Sequence, residues 1–121
     1  MDRLDGCRVL VAEDETLVAM LLEDVLADAG ATVLGPAATV QHALDLAMTE
    51  RPDIAVLDFN LSGESCLRVA DALAAAGVPF VIATGYGGDI PLPQHAAVES
   101  LQKPYDPGVL ITTLSRIMAR R

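Results

Sequence analysis

The chain has 121 residues, 52% of them hydrophobic, which suits one domain with a real core. Its net charge is −9, and its basic cluster (Arg116, Arg120 and Arg121) sits where cations favour the C-terminal end of a helix, so direct nucleic-acid binding is not expected. No apolar run approaches the roughly 20 residues of a membrane span, no signal-peptide layout opens the chain, and Cys7 and Cys66 stand far apart; the expectation is a cytoplasmic protein, without membrane insertion, whose two thiols are reduced and near the core.

Strand-like and helix-like patterns alternate from end to end. Residues 7–12 (C-R-V-L-V-A) form a short apolar run and predict a first buried strand. Residues 16–29 carry Val18, Leu21, Leu22, Val25 and Ala29 at helical spacing, and Gly30 is a natural stop. Residues 31–37 give a second strand. Thr39 can cap a second helix with Val40, Ala43, Leu44 and Ala47 on its inner face, broken by Arg51-Pro52. Residues 53–57 (D-I-A-V-L) form a third strand with Asp58 at its carboxyl end, and a third helix runs over about 65–76. Residues 79–83 form a fourth strand. In 87–94 (G-G-D-I-P-L-P-Q) two glycines and two prolines disfavour a long helix. Residues 98–102 give a weak fifth strand. Asp106 caps a last helix that starts with Pro107 and has Leu110, Leu114 and Ile117 as its core face.

This alternation predicts an α/β domain with a doubly wound parallel sheet of five strands. Sites in such sheets form outside the carboxyl ends of the strands. Polar groups collect there: Glu13, Asp14 and Glu15 after the first strand, Asp58 after the third, Thr84 after the fourth and Lys103 after the fifth. Each has an ordinary use alone, as a helix-dipole partner, a cap, a turn residue or a solvated charge. Together they place several carboxylates in one crevice, where they repel unless something neutralises them. Mg²⁺, a hard oxygen-seeking cation, would do so, with Lys103 adding one positive charge. A carboxylate in that setting can attack a phosphoryl group, and Thr84 could donate a hydrogen bond to it.

The markers V-L-V-A-E-D-E, V-L-D-F-N-L, I-A-T-G-Y and L-Q-K-P-Y, in this order, resemble the receiver domain of bacterial two-component response regulators over essentially the whole chain. The resemblance implies a flavodoxin-like receiver fold with strand order 2-1-3-4-5. It implies Asp58 as phosphoacceptor, served by a histidine kinase or phosphotransfer protein. It implies Glu13 and Asp14 as the acidic pair for Mg²⁺ alongside Asp58, and Asn60 as a ligand through its backbone carbonyl. Thr84 and Lys103 would bind the phosphoryl group, and the bond before Pro104 would be cis.

The family's aromatic three residues before the lysine is Ser100 here, and an aromatic appears instead as Tyr86. F-V-I-A-T-G-Y looks like the FAT GUY subgroup of receivers, associated with alphaproteobacterial signalling. The expected fourth helix is then short or absent, and ordering of 87–94 with Tyr86 as lever replaces the usual switch. The expected organisation is a single receiver domain over 1–121 without an output domain, acting through a downstream protein partner and not as an enzyme. Two rivals are an Mg²⁺-dependent phosphatase or phosphotransferase with an aspartyl intermediate, and a phosphorylation-independent scaffold.

Overall fold

Residues 9–12, 54–58 and 80–84 have no polar alternation and are buried along their whole length, as strands covered on both faces must be. In the computed structural model, which describes residues 3–85 and 99–120, they form the centre of a parallel sheet. The elements in chain order are β1 (Arg8–Ala12), α1 (Thr16–Asp28), β2 (Thr32–Ala37), α2 (Val40–Thr49), β3 (Ile54–Asp58), β4 (Asn60–Leu61), β5 (Glu64–Ser65), α3 (Leu67–Ala75), β6 (Phe80–Thr84), β7 (Ser100–Gln102) and α4 (Pro107–Ala119). The main sheet has the order β2-β1-β3-β6-β7. Apart from the added hairpin, this is the expected doubly wound order 2-1-3-4-5. The expectations for Tyr86, for 87–94 and for a short or absent helix there lie outside the described residues.

The sheet separates two cores. On one face Leu10, Leu57, Val69, Leu73 and Ile82 pack under α2 and α3. On the other, Val9, Val56, Leu22, Leu26, Leu110 and Leu114 pack under α1 and α4. Helix starts follow the capping expected: Thr39 Oγ1 accepts from His42 N–H at 3.1 Å, and Asp106 Oδ1 accepts from Val109 N–H at 3.1 Å, with Pro107 at the first position. Arg116 and Arg120, the described part of the basic cluster, hold Glu99 ahead of β7 at 2.8 to 3.1 Å.

Three expectations need correction. On α1 and its C-terminal cap, Leu22 and Ala29 are buried and Val18 and Val25 pack against the same core as expected, joined by Ala19 and Leu26, but Leu21 is 43% exposed. Leu21 lies one helical step, about 100°, away from that stripe, so it faces water despite its neighbours. The third helix starts at Leu67, because Glu64 and Ser65 pair with Asn60 and Leu61 in the small antiparallel hairpin β4–β5. The last helix buries Thr113 beside Leu110 and Leu114, and Ile117 is only partly covered.

β2 is irregular where it approaches the site. Its pairing with β1 slips from Leu10↔Leu34 to Ala12↔Ala37, so β2 accommodates an extra residue. Gly35 has φ +99°, and the Gly35–Pro36 peptide is cis. Pro36 is tolerated because β2 is an edge strand. A side chain at position 35 would bring Cβ to 2.7 Å from Ala37 N and 3.0 Å from Val11 O. Gly35→Ala is therefore expected to lose about 2 kcal/mol or more of stability, read as a lower urea midpoint at unchanged slope.

Candidate functional site

The carboxyl ends of β1, β3, β6 and β7 open into a cleft of about 430 Å³, lined by Asp14, Glu15, Asp58, Phe59, Asn60, Thr84, Gly85 and Lys103. A larger hollow of about 480 Å³, between the ends of α2 and α3, is lined mainly by Ala47, Met48, Pro52, Leu73 and Val78 and gathers no comparable set of charges.

Sheet register sets who meets whom. Asp58 is the last residue of β3 and pairs across to Ala83, one residue before Thr84. Thr84 pairs with Gln102, and Lys103 N–H donates to Thr84 O at 3.1 Å, which brings the lysine over Asp58. Lys103 Nζ then donates to Asp58 Oδ2 at 2.8 Å and stands 3.1 Å from Glu13 Oε1 and 3.8 Å from Glu15 Oε1. The Lys103–Pro104 peptide is cis, as the resemblance implied. Glu13 N–H continues the β1–β2 ladder to Ala37 O at 2.9 Å, and Glu13 is only 2% exposed. Asp58 and Thr84 are 7% and 3% exposed.

Glu13, Asp14 and Asp58 each offer an oxygen within 4.8 Å of the others'. Lys103 has only one charge to set against them. Among the described residues, Glu13 Oε1 is buried without an aligned hydrogen bond, although the Lys103 ammonium stands 3.1 Å away. A cluster of hard carboxylate oxygens facing a single ammonium fits a divalent cation of the Mg²⁺ type. Asn60 lies beside it: its N–H approaches Asp58 Oδ1 at 3.5 Å, and its side-chain Oδ1 accepts from Gly63 N–H at 2.9 Å. The side chain of Asn60 therefore shapes the turn.

The electrostatics follow from burial. Removal from water pushes the Glu13 carboxyl up to about 7; a hydrogen bond from Glu15 N–H and the Lys103 ammonium oppose this, and the Asp58 charge adds to it. Burial alone would lower Lys103, but its contacts with Asp58 and Glu13 outweigh it and hold the ammonium above its ordinary range. Cys66, buried under the site at the start of α3, is pushed up to about 12 mainly by desolvation and is an inert thiol. Neither cysteine forms a disulfide.

Two residues at the site escaped the sequence reading. Tyr105, after Pro104, is 9% exposed, and its buried hydroxyl has no hydrogen-bond partner among the described residues. Burial and the charges of Glu13, Asp58 and Glu15 raise its pKa. Ser62 N–H donates to Asp14 Oδ2 at 2.8 Å; the Ser62-Gly63 pair was a turn signal that could have drawn attention to it.

A raised carboxyl binds its proton more tightly in the folded state than in the unfolded chain. Its contribution to stability is present below about 4.5 and is lost as pH rises through about 7. Glu13→Gln, measured with a chelator present, should therefore gain stability relative to the parent between pH 5 and pH 8, by on the order of 1–2 kcal/mol in urea unfolding. A difference that does not change with pH would contradict this.

Comparison with known proteins agrees with the architecture. The family model described as response regulator receiver domain matches residues 9–115. The transcriptional regulatory protein PdtaR of Mycobacterium tuberculosis is 30% identical over 118 residues, covering 93% of this chain and 57% of PdtaR. The phyllosphere-induced regulator PhyR of Methylorubrum extorquens is 31% identical over 118 residues, covering 91% of this chain and 43% of PhyR. The chain thus spans about half the length of these curated relatives. Among solved structures, the receiver domain of the Erythrobacter litoralis PhyR response regulator superposes with a TM-score of 0.80 at 30% identity, covering 95% of this chain and 92% of that one. A parallel five-stranded sheet with an acidic cleft and a lysine at its carboxyl edge thus occurs in a chain that belongs to the response regulator receiver domains of two-component systems.

Proposed function

We propose that this receiver is switched by phosphorylation of Asp58 in an Mg²⁺-dependent reaction. The observation that carries the reading is the Lys103 ammonium, 2.8 Å from Asp58, in a cleft where Glu13, Asp14 and Asp58 converge within 4.8 Å. One Asp58 carboxylate oxygen attacks the phosphorus of a phosphohistidine on a histidine kinase or phosphotransfer protein. The N–P bond breaks as the O–P bond forms, and the released imidazole takes up a proton. Lys103 neutralises charge on the transferring group, and the Thr84 hydroxyl, at the next strand end, donates to the product phosphoryl oxygens. Glu13, Asp14 and Asp58, with the backbone carbonyl of Asn60, would hold Mg²⁺. The cation supplies charge neutralisation between the acidic residues and the phosphoryl oxygens.

The domain then acts as a switch on another protein and not as a turnover enzyme. The acidic balance and the engagement of Arg116 and Arg120 by Glu99 favour a protein partner over nucleic acid. Among the described residues no helix is long and apolar enough to cross a membrane, and a cytoplasmic setting fits this reading.

Incubation with Mg²⁺ and acetyl phosphate, followed by intact-mass measurement, is expected to give one phosphoryl adduct that requires the metal and is absent from Asp58→Ala. An adduct that persists in Asp58→Ala would put the acceptor elsewhere and end the assignment.

A further inference from the structure

Ser62 lies in the turn between β4 and β5, and the phosphoryl chemistry above makes no use of it. Its φ is +52°, a left-handed conformation that non-glycine residues seldom adopt. Two hydrogen bonds hold it there: its N–H donates to Asp14 Oδ2 at 2.8 Å, and its Oγ donates to Ala38 O at 2.8 Å. Asp14 follows β1 and Ala38 follows β2. A single strained residue thereby joins three chain segments at the carboxyl edge of the sheet. Asp14 is also the exposed member of the acidic cluster, while Glu13 and Asp58 are buried.

We propose that Ser62 is the positioning residue for Asp14: its amide fixes the carboxylate, and its hydroxyl anchors that amide to the end of β2. A carboxylate left to rotate in solvent must be ordered when a cation binds, and one already tethered loses less freedom. Ser62 therefore sets the affinity for the divalent cation without touching it. This rests on the cation site proposed above.

The test is a Mg²⁺ titration followed by backbone amide chemical shifts, on the full chain. Ser62→Ala removes the hydroxyl and keeps the strained φ; Ser62→Gly removes the hydroxyl and makes that φ easy. Urea midpoints establish that each variant is folded. Both variants are expected to weaken Mg²⁺ binding about tenfold. In an Asp14→Ala background, Ser62→Ala should change the affinity by less than about twofold, since the group it positions is gone. If the parent binds Mg²⁺ and either Ser62 variant binds it equally well, the positioning role is overturned and the cation site stands. An undiminished loss in the Asp14→Ala background also overturns it, because Ser62 would then act on the fold at large. If the parent shows no Mg²⁺-dependent shifts, the cation site itself is overturned and this inference falls with it.

Discussion

The Lys103 ammonium, set between Asp58 and Glu13, is the contact on which the site depends. Two carboxylates this close and this far from water repel each other strongly, and a cation set between them offsets that repulsion. The fold supplies that cation through register. Pairing of β6 with β7 ends at Thr84 and Gln102, and the residue that follows β7 is the lysine. Slipping β7 by one position would turn Lys103 to the other face of the sheet and leave the acidic pair bare. The apolar centre of the sheet, residues 54–57 and 80–83, thus holds the chemistry in place although none of its side chains takes part.

One lysine does not balance the cleft. Asp14 and Glu15 add negative charge at the rim, and among the described residues Glu13 keeps a buried oxygen without an aligned hydrogen bond. Marginal proteins keep such conflicts where function requires them. The small hairpin β4–β5 and the irregular end of β2 belong to the same arrangement. They bring Ser62, Ala38 and Asp14 together, so the more exposed acid is fixed by backbone geometry and not by burial.

Much of this was legible in the sequence because it depends on short-range patterns. Uninterrupted apolar runs marked the central strands, Thr39 and Asp106 marked helix starts, and the strand-end rule brought Glu13, Asp14, Asp58, Thr84 and Lys103 to one edge. What was not legible depends on three-dimensional detail. Leu21 reads as a core residue by composition, yet the angular position of α1 is set by Leu22 and Leu26 against the sheet. The two-residue strands β4 and β5 are too short to give a period, so Ser65, the end of β5, read as the start of the helix. The burial of Tyr105 and the tether from Ser62 to Asp14 come from segments far apart in the chain, and single-sequence patterns do not encode such contacts.

The central claim is that the cleft carries more negative charge than Lys103 can neutralise and is completed by a divalent cation. The most direct test is the urea unfolding midpoint of the parent chain at pH 8 as Mg²⁺ is raised from chelated to millimolar levels. The account predicts a stabilisation that grows with the logarithm of Mg²⁺ concentration above the dissociation constant, reaching about 2.7 kcal/mol at a hundredfold excess over it. A midpoint that stays constant across the titration, with the chain folded throughout, would contradict it.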